Sequence, residues 1–236
     1  MQTLNSFKNL IIMIGNKKSM VLKYCENMEV LDVGCVEALD DFSSDNLKSL
    51  LHFKIHKVAK RLVGIDLEEE GVLGLNKIGC ECYCSFAENV YSLNLGKFDV
   101  VLLGDIIEHI PDPSIFITSL KDNLKPNGVI ICTTPNALAY SNFFFVLFNK
   151  EFTRRQHVAW YCKVTLINLF KLSGFDLKEM NYCNFAETAQ NPIRKILDYL
   201  FCKLREEYSP QLFGVFIKAD SSNKVDIQKQ RIFYEK

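Results

Sequence analysis

The chain has 236 residues, with 28 Lys+Arg against 28 Asp+Glu, and is 48% hydrophobic and 24% charged. Length on this scale fits one generous domain, and the composition excludes a disordered or collagen-like chain. A zero formal net charge argues against a protein held to nucleic acid by counterion release, although it leaves room for a local basic patch.

No secretory leader is expected, because the apolar run Leu10–Ile14 is short and no small-residue cleavage site follows. Strands are expected at Glu29–Val33 (EVLDV), Arg61–Ile65 (RLVGI), Cys80–Cys84, Phe98–Leu103 (FDVVLL) and Gly128–Thr133 (GVIICT). Each is nearly continuous in apolar residues, the pattern of a parallel sheet buried on both faces. Between them Asp45–Lys60, Glu68–Lys77 and Pro113–Leu124 are long enough for crossover helices. Repeated units of this kind imply a doubly wound α/β domain with right-handed crossovers.

Beyond Pro135 the texture changes. Asn136–Asn149 is aromatic-rich, Glu151–His157 is polar, and Thr165–Leu172 resumes a helical period stopped by Gly174. Phe175–Tyr182 and Leu212–Ile217 read as two further strands. Between these, Ile193, Ile196, Leu197, Leu200, Phe201 and Leu204 fall on one helical stripe. The stripe suits packing on the chain's own sheet or, with Arg194, Lys195, Lys203 and Arg205 beside it, docking on a partner or membrane surface. The strongest apolar run, Phe143–Phe148, is far below the roughly 20 residues of a spanning helix. Residues 1–220 are therefore expected to form one domain, with Ser221–Lys236 a polar tail and the cytoplasm as location.

Nine cysteines are an odd number in apolar settings. Cys80, Cys82 and Cys84 alternate with strand period and should share one face, an arrangement that cannot by itself wrap a tetrahedral zinc. They read as reduced thiols serving as small hydrophobes.

In an open parallel sheet, ligands bind beyond the carboxyl ends of the strands. The first strand ends Leu31-Asp32-Val33-Gly34-Cys35, the second Gly64-Ile65-Asp66, and the fourth runs into Gly104-Asp105-Ile106-Ile107-Glu108-His109. A glycine turn followed by a strand-end acid suits a nucleoside-containing cofactor, the acid taking the ribose hydroxyls. Asp66 also suits a helix N-cap, and both roles are compatible.

Taken together, VLDVGC at 30–35, VGID at 63–66, FDVVLLGDIIEHIPDP at 98–113 and LKPNGVIICTTPN at 124–136 resemble class I S-adenosylmethionine-dependent methyltransferases. The stretch HVAWYCKVTLINLFKLSGF at 157–175 is similar to their small-molecule branch, which includes ubiquinone-biosynthesis O-methyltransferases and methyltransferases of glycan gene clusters. The resemblance implies a Rossmann-like sheet of seven strands, mostly parallel, with the last antiparallel. It implies S-adenosyl-L-methionine as donor, with Asp32 and Gly34 at its methionine end and Asp66 on the ribose. Leu67, Phe86 and Ala87 would border the adenine, and Gly104 and Asp105 would face the methionine and sulfonium. The residues at 136–172 would form an acceptor-side cap.

Two departures stand out. The family loop GxGxG reads Gly34-Cys35-Val36-Glu37-Ala38 here, and Val36 lacks the close backbone approach that glycine allows. Phe86 stands where an Asp often meets the adenine amino group. A non-catalytic member of the family is therefore the alternative of a different class.

Methyl transfer to a hydroxyl needs a proton acceptor, for which histidine is the natural choice near neutrality. His109, just past the fourth strand, and His157, in the later insert, are the candidates; each also suits a structural role. His52 and His56 fall on the first crossover helix, away from the ligand edge, and read as surface or packing residues. Trp160 and Tyr161 offer aromatic faces to a sugar ring or pack the insert. A further reading joins Asp105, Glu108, His109 and His157 into a divalent-metal site similar to that of small-RNA 3′-terminal 2′-O-methyltransferases. Lys150, Arg154 and Arg155 are a small basic patch nearby, but the neutral chain has no general RNA-binding surface. The expected reaction is methylation of a hydroxyl, or less favourably an amine, on a small molecule or glycan precursor, with no metal.

Overall fold

Strands that are apolar along their whole length need cover on both faces. The computed structural model, which describes residues 15–37, 39, 41–150, 153–184, 197 and 200–220, supplies it. The elements run β1 (Gly15–Asn16), α1 (Lys17–Cys25), β2 (Glu29–Val33), α2 (Ser44–Ser49), α3 (Leu51–His56), β3 (Arg61–Asp66), α4 (Glu69–Lys77) and β4 (Glu81–Cys84). They continue with β5 (Phe98–Gly104), α5 (Pro113–Ser119), β6 (Leu124–Pro135), α6 (Tyr140–Leu147), α7 (Lys163–Leu172), β7 (Phe175–Asn184) and β8 (Gln211–Lys218). Leu10–Ile14 and the tail Ser221–Lys236 lie outside the described residues.

The sheet order is β1-β7-β8-β6-β5-β2-β3-β4. Every pairing is parallel except those of β8, which runs antiparallel between β6 and β7. The expected seven strands and antiparallel last strand are present, and the two-residue β1 adds an edge against β7. On one face Phe116, Leu166, Phe170 and Phe216 pack over the central strands. On the other, Val21 and Cys25 of α1 and Leu51 and Ile55 of α3 do so. Among the described residues, no helix is long and apolar enough to cross a membrane.

Two expectations need correction. The helix expected over Asp45–Lys60 is two helices, because Leu50 adopts an extended ψ of 150° between them. The break lets Leu47 and Leu50 pack with Cys35 and Val72 while Leu51 and Ile55 reach Val30 and Leu62. One straight stripe does not serve two cores. Strand β4 is an edge, so only Cys82 of its residues is buried; Cys80 just before it shares that face, while Cys84 is exposed. Of the late helical stripe, Ile193 and Ile196 lie outside the described residues. Residues 200–204 are helical, and Phe201 stacks on Tyr140 of α6 at 4.7 Å.

Phe170 of α7 stacks on Phe216 of β8 at 3.7 Å between centroids, and both are fully buried. Phe170→Ala should therefore lower the unfolding free energy by about 3–5 kcal/mol in urea titration, through lost burial and the cavity left behind.

Candidate active site

The chain leaves β2 outward through β3 and β4 and leaves β5 in the opposite direction through β6. The crevice where ligands bind an open α/β sheet lies at such a switch point, past the carboxyl ends of β2 and β5. Here Gly34 takes φ +81°, and a Cβ on it would stand 3.0 Å from Ile106 Cδ1. Its N–H and that of Cys35 both donate to the Ile65 carbonyl, at 2.8 and 3.2 Å, which folds the loop over the end of β3. Asp66 then fastens the loop: Oδ2 accepts the Val36 N–H at 2.8 Å and Oδ1 the Glu68 N–H at 3.0 Å. Val36 is accommodated because its methyl groups occupy the space over Gly71 of α4, 2.5 Å from where a Cβ would be. Two residues thus exchange bulk.

The rest of this edge fits the cofactor that the sequence motifs imply. A carboxylate offers about four acceptor positions, and the loop uses one on each Asp66 oxygen. Leu67 and Phe86 flank it with apolar side chains that are 55% and 58% exposed. Ala87 is buried at the start of the turn that carries Phe86. At the end of β5, a Cβ on Gly104 would find nothing within 4 Å. Asp32 behaves differently: it is buried, and its Oδ2 lies 2.8 Å from His52 Nδ1. His52 is only 1% exposed, so of the two readings it is a packing residue, and its bond to Asp32 places it at the end of β2 rather than away from the ligand edge. Burial works to lower its pKa, but the Asp32 hydrogen bond and charge hold it well above the usual imidazole value. His56 is exposed beside Phe53.

A second group of residues gathers after β5. Asp105, at φ +54°, accepts from Thr133 Oγ1 at 2.8 Å, Lys17 Nζ at 2.7 Å and Gln211 Nε2 at 2.8 Å. Burial acts to raise its pKa, but the Lys17 ammonium and these hydrogen bonds outweigh it and hold the carboxylate below its ordinary range. Sequence reasoning missed Lys17 and Gln211, which come from opposite ends of the chain; no local motif announces them. Thr134 faces the other way from Thr133 and donates to Glu108 Oε2 at 2.9 Å. The Glu108 carbonyl accepts the Val158 and Ala159 N–H groups at 2.8 and 3.3 Å, which places His157 beside His109. Their rings meet edge-on at 4.7 Å. His109 Nδ1 lies 3.2 Å from the Gln156 carbonyl, so that nitrogen donates, which makes Nε2 the acceptor of the neutral ring. Burial first, and then the neighbouring His109, lower the His157 pKa. One ligand atom from each of Glu108, His109 and His157 falls within 4.8 Å of the others, and Asp105 stands outside the group. Trp160 is exposed at 6.5 Å from His157, whereas Tyr161 is buried and bridges Asn136, which removes it as a stacking face.

Burial, then the Asp105 charge, push the Glu108 carboxyl up to about 7. In an unfolded chain it titrates near 4.3, so the folded state holds the extra proton between these values and stability falls as pH rises through that window. The fall should amount to roughly 3–4 kcal/mol in unfolding free energy, measured in urea at points from pH 4 to pH 8. Glu108→Gln should remove most of that pH dependence and be the more stable protein at the upper end.

A family model described as a methyltransferase domain matches residues 16–179. A ubiquinone biosynthesis O-methyltransferase of Dinoroseobacter shibae is 28% identical over 116 residues, 47% of this chain and 42% of that protein. The match thus spans less than half the length of that curated relative. A SAM-dependent methyltransferase from Archaeoglobus fulgidus is structurally similar with TM-score 0.56 at 14% identity, covering 86% of this chain and 94% of that one. The magnesium protoporphyrin IX methyltransferase of Synechocystis, solved with S-adenosylhomocysteine, gives TM-score 0.57 at 11% identity, covering 86% and 82%. At these identities the structural likeness speaks for the fold. The sequence family spans well over half the chain, its motifs sit at the switch point, and the sheet carries the expected antiparallel last strand: this chain belongs to the class I S-adenosylmethionine-dependent methyltransferases.

Proposed function

We propose that the protein transfers a methyl group from S-adenosylmethionine to a hydroxyl of a small molecule or glycan precursor. The observation that carries this reading is the convergence of Glu108, His109 and His157 immediately past the open end of β5. Bound at this edge, the cofactor supplies a methyl group activated by an adjacent sulfonium. Gly34, Asp66, Leu67, Phe86, Ala87 and Gly104 would hold it, with Asp32 supporting the loop from beneath and Asp105 fixing the turn beside it. The protein's own contribution is to align the acceptor oxygen and remove its proton. His109, through Nε2, is the base in this reading, with His157 beside it as the second candidate base and Glu108 placed to stabilise the charge that develops. The residues at 136–172 would wall the acceptor side, with exposed Trp160 facing it. A neutral chain favours a neutral acceptor over a polyanion.

The same cluster supports a second reading, in which Glu108, His109 and His157 hold a divalent cation that lowers the pKa of the acceptor hydroxyl. One carboxylate and two imidazoles with open positions suit such an ion. Asp105 is not a ligand in this version, because Lys17, Thr133 and Gln211 already engage it.

His109→Ala and His157→Ala should each reduce kcat by about 10²–10⁴-fold while leaving the affinity for S-adenosylhomocysteine unchanged by calorimetry. Unchanged rates in both variants would remove them as bases. Wild-type protein that binds no S-adenosylhomocysteine at millimolar concentration would instead be a non-catalytic member of the family. Full activity after exhaustive EDTA treatment supports the metal-free mechanism, and loss that Mg²⁺ or Mn²⁺ restores supports the second reading.

A further inference from the structure

Next to Asp32, at the loop that follows β2, three ligand-type side chains converge from separate elements. Cys35 comes from the loop after β2, His52 from α3 and Cys82 from β4, and all three are buried. Their Sγ and ring nitrogen atoms lie within 4.8 Å of one another. His52 Nε2 is 3.3 Å from Cys82 Sγ, while Nδ1 is 2.8 Å from the Asp32 carboxylate. An ionised carboxylate only accepts, so Nδ1 carries a proton and Nε2 is turned toward the sulfurs. This is the arrangement of metal-bound imidazoles, in which one nitrogen ligates and the other donates to a carboxylate.

The space for the cluster is built into the sheet. A Cβ on Gly64 would stand 2.7 Å from His52 Cε1 and 2.8 Å from the sulfurs of both Cys35 and Cys82. Only a residue without a side chain at this point of β3 lets the three groups meet. Cys80 lies on the same buried face as Cys82, close enough to interact with His52. Three sulfurs and one imidazole are the donor set of a structural zinc site, and the set lacks the oxygens that Mg²⁺ or Ca²⁺ require. Two of these thiolates cancel the charge of a divalent ion and the third leaves one net negative charge, as in any site of three cysteines and one histidine. The strand Cys80–Cys84 alone cannot wrap a metal; the fold brings the missing ligands from two other elements.

We propose that Cys35, His52 and Cys82 bind Zn²⁺, with Cys80 completing the tetrahedron and Asp32 orienting His52. Binding forms metal–sulfur and metal–nitrogen bonds, releases the displaced thiol and imidazole protons to solvent, and transfers no electron. Because Cys35 adjoins Gly34, the ion would clamp the cofactor loop to α3 and β4. The inference is independent of the acceptor and of the Glu108 cluster.

The test titrates reduced, metal-stripped full-length protein with Co²⁺, then displaces it with Zn²⁺. A thiolate-to-cobalt charge-transfer band with tetrahedral d–d absorption should appear, saturate at one equivalent and vanish on adding Zn²⁺. His157→Ala should keep the band, because the Glu108 cluster contains no sulfur. Cys82→Ser should lose it, with Cys35→Ser as the substitute if that variant does not fold. Asp32→Asn should weaken Co²⁺ affinity by about 10–100-fold. Folded wild-type protein without a charge-transfer band, or a band undiminished in folded Cys82→Ser and Cys35→Ser, would overturn the proposal.

Discussion

A carboxylate withdrawn from water must find partners or take up a proton. Three carboxylates at the carboxyl edge of this sheet meet that constraint in different ways, and their solutions organise the site. Asp32 is buried against His52, which ties the end of β2 to α3. Asp105 gathers Lys17, Thr133 and Gln211, so α1, β6 and β8 are drawn to the end of β5. Glu108 accepts from the Thr134 hydroxyl and lies close to the Asp105 charge, and its carboxyl is pushed up to about 7. Pairing thus holds two acids in fixed positions and leaves the third poised to exchange a proton near neutrality.

The same economy of space governs the loop after β2. Val36 would crowd a glycine-rich turn if it pointed at the crevice, yet it packs over Gly71 instead. The glycine lost from the loop is compensated by a glycine in the facing helix. Gly64 has a comparable role one strand away, where its missing side chain admits His52 and two sulfurs. In both places a backbone position without a Cβ determines which side chains can meet.

The insert after β6 illustrates how backbone bonds set functional geometry. Glu108 presents its side chain to Thr134 and its carbonyl to Val158 and Ala159. One residue therefore anchors both the floor of the site and the segment that carries His157. The aromatic α6 is braced from behind by Phe201, which leaves several of its apolar side chains exposed.

The strand pattern, the doubly wound class and the positions of the ligand edge were legible in the chain, because apolar runs of strand length and acids at their ends are local signals. Gly34, Asp66 and the Gly104–His109 segment could be located in the same way. Tertiary structure alone decided which of these residues touch. The break at Leu50 depends on two cores competing for one stretch of helix. The Asp32–His52 pair joins residues 20 apart, and the Asp105–Gln211 bond residues 106 apart. Neither has a sequence period, because each arises from sheet register and the need to satisfy a buried charge. The sequence by itself determined the scaffold and the edge at which the candidate site lies; the packing of distant side chains decided which acids are paired, which one can titrate, and where cysteines and histidine converge.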